Sequence, residues 1–225
     1  MITGETRLVG LLGDPVSGSL SPRMHNTAFA ALGLDWAYVP LRVKAEELAD
    51  AIRGLVALGF AGANVTTPHK LAVAKFVETD LASVNTLVVG GGRVLGHSTD
   101  AAILDGLDAR RPVILGDGGA AQAFLQKLPH ARVFARKGEW PPDLRDVDLV
   151  VNATSERDEV LAALEPGQTL IDLPYPATAT ARAAREAGAR VLDGYDVLVA
   201  QGAAAFRMWT GLPAPVEIMR AALES

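Results

Sequence analysis

The chain has 225 residues, 49% of them apolar and 21% charged, with 22 glycines. That length and composition exclude a small stapled fold, a collagen-like repeat and long disordered stretches. Twenty-six acidic against twenty-one basic side chains leave a formal charge of −5, too weak and too evenly spread for a nucleic-acid or anionic-membrane surface, so a small molecule is the expected partner. With no cysteine there is no disulfide framework, thiolate metal set or cysteine nucleophile; the expected setting is cytoplasmic and no metal is expected. Met1 to Leu12 lacks a basic start followed by a long apolar segment, and no window reaches the about eighteen apolar residues that cross a bilayer, so neither a leader nor a membrane span is expected.

Short apolar runs bounded by glycine or proline alternate with stretches of helical period, the pattern of parallel sheets covered by helices. Arg7–Leu12, Trp36–Leu41 and Ala61–Val65 are expected strands, separated by helices around Pro22–Leu32 and Ala45–Leu58. Ser21 before Pro22 is a good helix start, because serine caps orphan amides and proline fits the first turn. Thr86–Val89 and Val94–Leu95 read as a hairpin across a Gly90–Arg93 turn, and Asp100–Leu107 begins a helix. A second unit follows, with strands Val113–Leu115, Arg132–Ala135, Leu149–Asn152, Leu170–Leu173 and Arg190–Leu192, and with Phe124, Leu125 and Leu128 on a helix between the first two. Past Gly194 the chain returns to helix over Val197–Trp209 and Pro215–Leu223, placed to brace the first unit.

Gly116, Gly118 and Ala121 form a Gly-x-Gly-x-x-Ala turn after one of these strands and before a helix, with Gly119 and Ala120 inside it. The first glycine permits the turn, the second lets backbone approach a pyrophosphate, and the small third residue lets helix and strand pack closely. A glycine-rich turn that binds nothing is the alternative. At the end of the next strand, where an NAD site usually carries a carboxylate, stand Arg136 and Lys137; two cations there favour a 2′-phosphate, hence NADP, unless they are an ordinary solvated strand end. The about a dozen residues from there to Leu149, with Gly138, Pro141 and Pro142, are too few and too helix-averse for a crossover helix.

Ser19 and Ser21 lie two apart in a loop that opens a helix, where hydroxyls suit a carboxylate or polyol. Asn64, Thr66, His69 and Lys70 end a buried-looking strand at the tip where open α/β sheets bind ligands. Asn85-Thr86 and Ser98-Thr99-Asp100 add polar groups at the ends of apolar runs. Singly, Lys70 reads equally as a solvated helix-start lysine, His69 as a satisfied surface histidine, and Asp100 as the N-cap of the next helix. Jointly, one cation, one carboxylate and a ring of neutral groups suit a polyhydroxylated acid undergoing proton and hydride transfer.

These segments resemble, in order, the motifs of the shikimate dehydrogenase family: Ser19-Leu-Ser21-Pro22 with His25-Asn26, Asn64-Val-Thr66-Thr-Pro68-His-Lys70, Val84-Asn85-Thr86, Ser98-Thr99-Asp100, Gly116–Ala121, Asn152-Ala-Thr154, Tyr175-Pro176, Gln201 and Trp209-Thr-Gly211. The resemblance implies a two-domain α/β protein: an N-terminal α/β substrate domain, residues 1–100 completed by C-terminal helices in 197–225, and a reduced Rossmann-like cofactor domain, residues 101–196. It implies reversible NADPH-dependent reduction of 3-dehydroshikimate to shikimate in aromatic amino-acid biosynthesis. By the same resemblance Lys70 and Asp100 are the catalytic pair, and Ser19, Ser21, Thr66, Asn85, Tyr175 and Gln201 bind substrate. NADP would be held by Gly116, Gly118, Gly119, Ala120, Ala121, Arg136, Lys137, Asn152, Thr154 and Gly194. No nucleic acid or membrane partner is expected, and a homodimer is admitted. The family's histidine before the first serine is here Gly18, its asparagine before Thr-Asp is Ser98, and its Asn-Arg-Thr cofactor motif has become Ala135-Arg136-Lys137. Those departures keep two further readings open: an NAD-using quinate/shikimate dehydrogenase, and a non-catalytic shikimate-binding paralogue.

Overall fold

The computed structural model describes residues 2–138 and 140–224; Met1 and Ser225, the ends of the expected substrate domain, lie outside them. The chain divides into two compact units, the residues up to Thr99 together with those from Val199 onward, and Asp100–Leu198. Each is built on a five-stranded sheet.

The first unit contains β1 (Arg7–Gly13), α1 (Ser21–Ala31), β2 (Trp36–Arg42), α2 (Leu48–Ala57), β3 (Gly62–Val65), β4 (Thr86–Gly90) and β5 (Arg93–His97). The order is β2-β1-β3-β4-β5, with β1 parallel to β2 and β3, and β3, β4 and β5 antiparallel in turn. Leu48, Ile52 and Leu55 of α2 pack on Leu12, Val65 and Leu87 of the strands, the apolar stripe that the period of the sequence predicts. The expected helix over 45–58 opens as a 3-10 turn, Ala45–Glu47, before the α-helix begins. Gly91 and Gly92 both take positive φ, 59° and 76°, the primed-turn conformation that glycine adopts without strain and that matches the twist of a two-residue hairpin.

Ser21 is not the cap of α1. The helix includes it, Leu20 holds the cap position, and no side chain caps the end; instead Ser19 Oγ accepts from the Ser21 amide at 3.3 Å. A serine hydroxyl does take up an amide at the helix start, but from two residues earlier than expected.

The second unit contains β6 (Pro112–Leu115), α3 (Gly119–Lys127), β7 (Arg132–Phe134), β8 (Leu149–Asn152), β9 (Thr169–Asp172), α4 (Ala179–Glu186) and β10 (Arg190–Leu192). All pairings are parallel, in the order β10-β9-β8-β6-β7. Strand alternation divides the core: Val113, Val150 and Leu170 face one side with α4, while Ile114, Val151 and Ile171 face the other with Phe124 of α3. No described residue between β7 and β8 is helical, as the prolines require. The next crossover, 153–168, is also free of helix, which no sequence signal announces. Apolar side chains of both loops, Trp140, Leu144, Val147, Leu161 and Leu164, pack on that face beside α4, where two crossover helices would otherwise lie.

The expected helix over Asp100–Leu107 is a correction. Only Ala102–Leu104 forms a 3-10 turn, Ala101 rather than Asp100 is at its cap, and no side chain bonds there; Gly106, at φ 84°, turns the chain away after it. α5 (Gly194–Thr210) begins in the second unit, and its residues from Val199 on, with α6 (Val216–Glu224), belong to the first. There Trp209 Nε1 donates to Leu87 O at 2.9 Å and Arg23 Nη2 to Leu223 O at 2.8 Å. Among the described residues no helix is long and apolar enough to cross a membrane.

Candidate active site

In the first unit the polar motifs gather beside the carboxyl ends of β1 and β3, where the strand order reverses. This is the switch point at which open α/β sheets take ligands. The loop after β1 carries Ser19 and Ser21, both half-buried, and the loop after β3 carries Thr66 and Lys70, also half-buried. The two loops touch: the Asp14 amide donates to Thr67 O at 3.2 Å, and a Cβ on Gly13 would lie 2.4 Å from Thr66 Cγ2. Glycine at 13 is therefore required by close approach.

Asn85 is the centre of a buried network. It is 2% exposed; its Oδ1 accepts from the Thr99 amide at 2.7 Å and from Thr86 Oγ1 at 3.0 Å, and its Nδ2 donates to Thr99 Oγ1 and to Gln201 Oε1, both at 3.1 Å. Asn64 Nδ2 joins it, donating to Asn85 O at 3.1 Å and Thr86 Oγ1 at 3.0 Å, while Asn64 Oδ1 accepts from Tyr38 Oη at 2.9 Å. Segments far apart in the chain thus fix one another's side chains, and a buried polar network with its partners in place holds a single geometry. Tyr38 is the member that sequence reasoning missed; its signal was a lone hydroxyl inside the apolar strand Trp36–Leu41.

Lys70 stands in a turn after β3, not at a helix start, and its carbonyl accepts from the Val84 amide at 2.8 Å. The chain entering Asn85 is thereby tied to the lysine. His69 is buried rather than on the surface, with Nε2 2.7 Å from Val43 O. Asp100 is 4% exposed and follows Thr99 directly, but is grouped with the second unit, as are Tyr175 and Gly194.

His25 has a packing role. It is wholly buried, stacked on Tyr38 at 4.6 Å between ring centroids and tilted against Trp209 at 5.4 Å. Neither ring nitrogen has a hydrogen-bond partner among the described residues, and burial pushes its pKa from 6.5 down to about 3, so the ring is neutral. Asn26 clamps the same strand from the next position, with Nδ2 donating to Tyr38 O at 2.9 Å and Oδ1 accepting from the Tyr38 amide at 2.8 Å.

In the second unit the glycine turn lines a cavity of about 410 Å³ at the carboxyl ends of β6, β7 and β8. Gly116 has φ 106° and a Cβ there would press on Ala153 O at 3.1 Å, whereas a Cβ on Gly118 would meet nothing within 4 Å. The turn is tight where it must be and open where a phosphate would approach, with the amides of Gly119, Ala120 and Ala121 beginning α3. That fits a dinucleotide. Thr154 lines the cavity; Asn152 is buried behind it, donating to Asp172 Oδ1 at 2.7 Å and accepting from Thr154 Oγ1 at 2.7 Å. Burial raises the Asp172 pKa, against the pull of hydrogen bonds from Asn152 and Thr178. Gly194 opens α5, and a Cβ there would lie 2.4 Å from Pro174 O, so close backbone approach demands glycine. Tyr175 packs its ring on Tyr195 at 5.8 Å. Arg136 lines the cavity but is ion-paired with Glu156, at 3.4 Å, and with Glu159, and Lys137 is exposed beside it. The glutamates went unread because they arrive from the β8–β9 loop rather than the end of β7.

Residues 11–87 match the family model described as the shikimate dehydrogenase substrate binding domain, and residues 194–224 match that of the shikimate 5'-dehydrogenase C-terminal domain. The shikimate dehydrogenase (NADP(+)) of Anaeromyxobacter dehalogenans strain 2CP-C is 39% identical, covering 100% of this chain and 98% of that protein, and its namesake from Pyrococcus furiosus is 36% identical over 98% and 96%. Among solved structures, a shikimate dehydrogenase in complex with NADP+ is similar with a TM-score of 0.90 at 30% identity, covering 100% of this chain and 96% of that one. Shikimate 5-dehydrogenase from Thermus thermophilus in complex with shikimate gives 0.85 at 30%, covering 97% and 98%. Identity at this level along the whole chain places the protein in the shikimate dehydrogenase family.

Proposed function

We propose that the chain is an NADP-dependent shikimate dehydrogenase, interconverting 3-dehydroshikimate and shikimate in aromatic amino-acid biosynthesis. The observation that carries this reading is the Asn85 network, which brings Asn64, Thr99 and Gln201 from separate motifs to one place. Residues 1–100 with 197–225 form the substrate domain in this reading and 101–196 the cofactor domain. A chain without cysteine supports a cytoplasmic setting.

The dinucleotide, when bound, supplies or accepts the hydride. Gly116, Gly118, Gly119, Ala120 and Ala121 would hold its pyrophosphate, Thr154 would line its site, and Arg136 with Lys137 would take the 2′-phosphate. On the substrate side, Ser19 and Ser21 hydroxyls bind the carboxylate, and Thr66, Asn85 and Gln201 bind ring hydroxyls, with Tyr175 a further substrate contact. As the carbonyl carbon gains hydride, its oxygen becomes an alkoxide that must be protonated. The Lys70 ammonium stabilises that charge and donates the proton, and in oxidation the neutral amine takes it back. Asp100 completes the catalytic pair, accepting from a substrate hydroxyl. Purified protein with shikimate and NADP is expected to generate the absorbance of reduced nicotinamide. Binding of shikimate without any turnover, across pH and with either dinucleotide, would instead make it a binding protein.

A further inference from the structure

Two carboxylates occupy the cation that the sequence assigns to a 2′-phosphate, and they are held very differently. Glu156 lines the cavity, its side chain only 28% exposed. Its Oε1 accepts from the amides of Arg157, Asp158 and Glu159 at 2.9, 3.0 and 3.4 Å, and Oε2 faces Arg136 Nη2 at 3.4 Å. Those amides, that of Asp158 foremost, hold its pKa below the usual carboxylate range. Glu159 also pairs with Arg136, but its side chain is 65% exposed, and an exposed ion pair is worth little, so it swings into solvent easily.

We infer that Glu156 is the specificity-determining residue of the dinucleotide site, narrowing the preference for NADP over NAD. The inference rests on the reading that this cavity binds the adenosine half of the cofactor. A 2′-phosphate recruits Arg136 and displaces Glu159, but Glu156 stays on its three amides, leaving a fixed negative charge beside the incoming dianion. A ribose 2′-hydroxyl meets no such penalty, because a carboxylate accepts its hydrogen bond. The carboxylate missing from the end of β7 is thus restored from the loop after β8, next to an arginine that still attracts phosphate. The site can serve either dinucleotide.

The test is calorimetric titration of each dinucleotide, without substrate, into wild type, Glu156→Gln and Glu159→Gln. Glutamine keeps the oxygen that accepts from the amides and removes the charge. In Glu156→Gln the ratio of the NAD to the NADP dissociation constant is expected to rise roughly tenfold, chiefly by tighter NADP binding, and in Glu159→Gln less than about threefold. A ratio unchanged in Glu156→Gln overturns the inference while leaving the dehydrogenase reading intact; failure of wild type to bind either dinucleotide overturns both. A measurement independent of the variant's folding uses wild type alone. Adenosine 2′,5′-bisphosphate is expected to bind less than about tenfold more tightly than 5′-AMP, and a larger gap overturns the inference.

Discussion

Asn85 and Gln201, 116 positions apart in sequence, are joined by a hydrogen bond of 3.1 Å from Asn85 Nδ2 to Gln201 Oε1. The same asparagine holds the Thr99 amide and hydroxyl, so one buried side chain fixes the start of β4, the exit from β5 and a position on α5. Removing either partner has separable effects. Asn85→Ala strands buried donors and is expected to lower stability by about 1–3 kcal/mol, together with substrate affinity. Gln201→Ala, half-buried, is expected to change stability by under about 1 kcal/mol while raising KM. Urea unfolding set beside steady-state kinetics separates the two, and equal stability losses would contradict the hierarchy.

Lys70→Ala leaves untouched the backbone bond from Val84 to the Lys70 carbonyl, so the fold is expected to persist while kcat falls roughly 10²–10⁴-fold. Asp100→Ala is expected to fall in the same range. Activity surviving intact in both would remove them from the chemistry.

His25 predicts an acid limb in the stability curve. Its pKa is about 3 in the folded chain, against 6.5 for a histidine in water, so below pH 6.5 the unfolded chain takes up a proton that the folded one refuses. The contribution is fully present above pH 6.5 and is lost progressively as pH falls towards 3, by on the order of 5 kcal/mol in all. His25→Phe keeps a ring against Tyr38 and is expected to flatten the dependence of the urea midpoint between about pH 6.5 and about pH 4. A slope as steep as in wild type would assign the acid limb to other groups.

Gly62→Ala is expected to be among the most damaging single changes. A Cβ there would lie 2.2 Å from Leu87 O and 2.4 Å from Trp209 Nε1, atoms that are bonded to each other. Gly10→Ala meets one atom closely, Leu41 Cδ1 at 2.9 Å, the end of a flexible side chain, with Phe60 and Ala63 at ordinary contact distance. Thermal melting should find the first variant destabilised by more than about 3 kcal/mol or unfolded, and the second by clearly less.

Strand positions were readable because β6, β8 and β9 are short runs with apolar centres, and the hairpin because Gly91-Gly92 takes without strain the two positive φ angles that a two-residue turn demands. The Asp100–Leu107 segment misled because its alanines and leucines carry helix propensity, which Gly106 overrides within one turn. Of the candidate site, Thr66 and Lys70 were legible as polar residues after an apolar strand, and Asn85 as one before the next. Tyr38, Glu156 and Glu159 were not, because each meets its partner through tertiary contacts between loops and strands that carry no local spacing.

The two crossovers that flank β8 clothe one side of their sheet with irregular chain, through Trp140, Leu144, Leu161 and Leu164. A helix shields its amides through its own repeating ladder, whereas these segments offer few such bonds, so their protons should exchange with deuterated solvent through small local openings. The adjoining amides of β6 and β8 should exchange only when the unit as a whole comes apart. Trp140 and Leu161 line the cavity, so part of its wall would belong to the fast-exchanging chain of a unit whose strands exchange slowest.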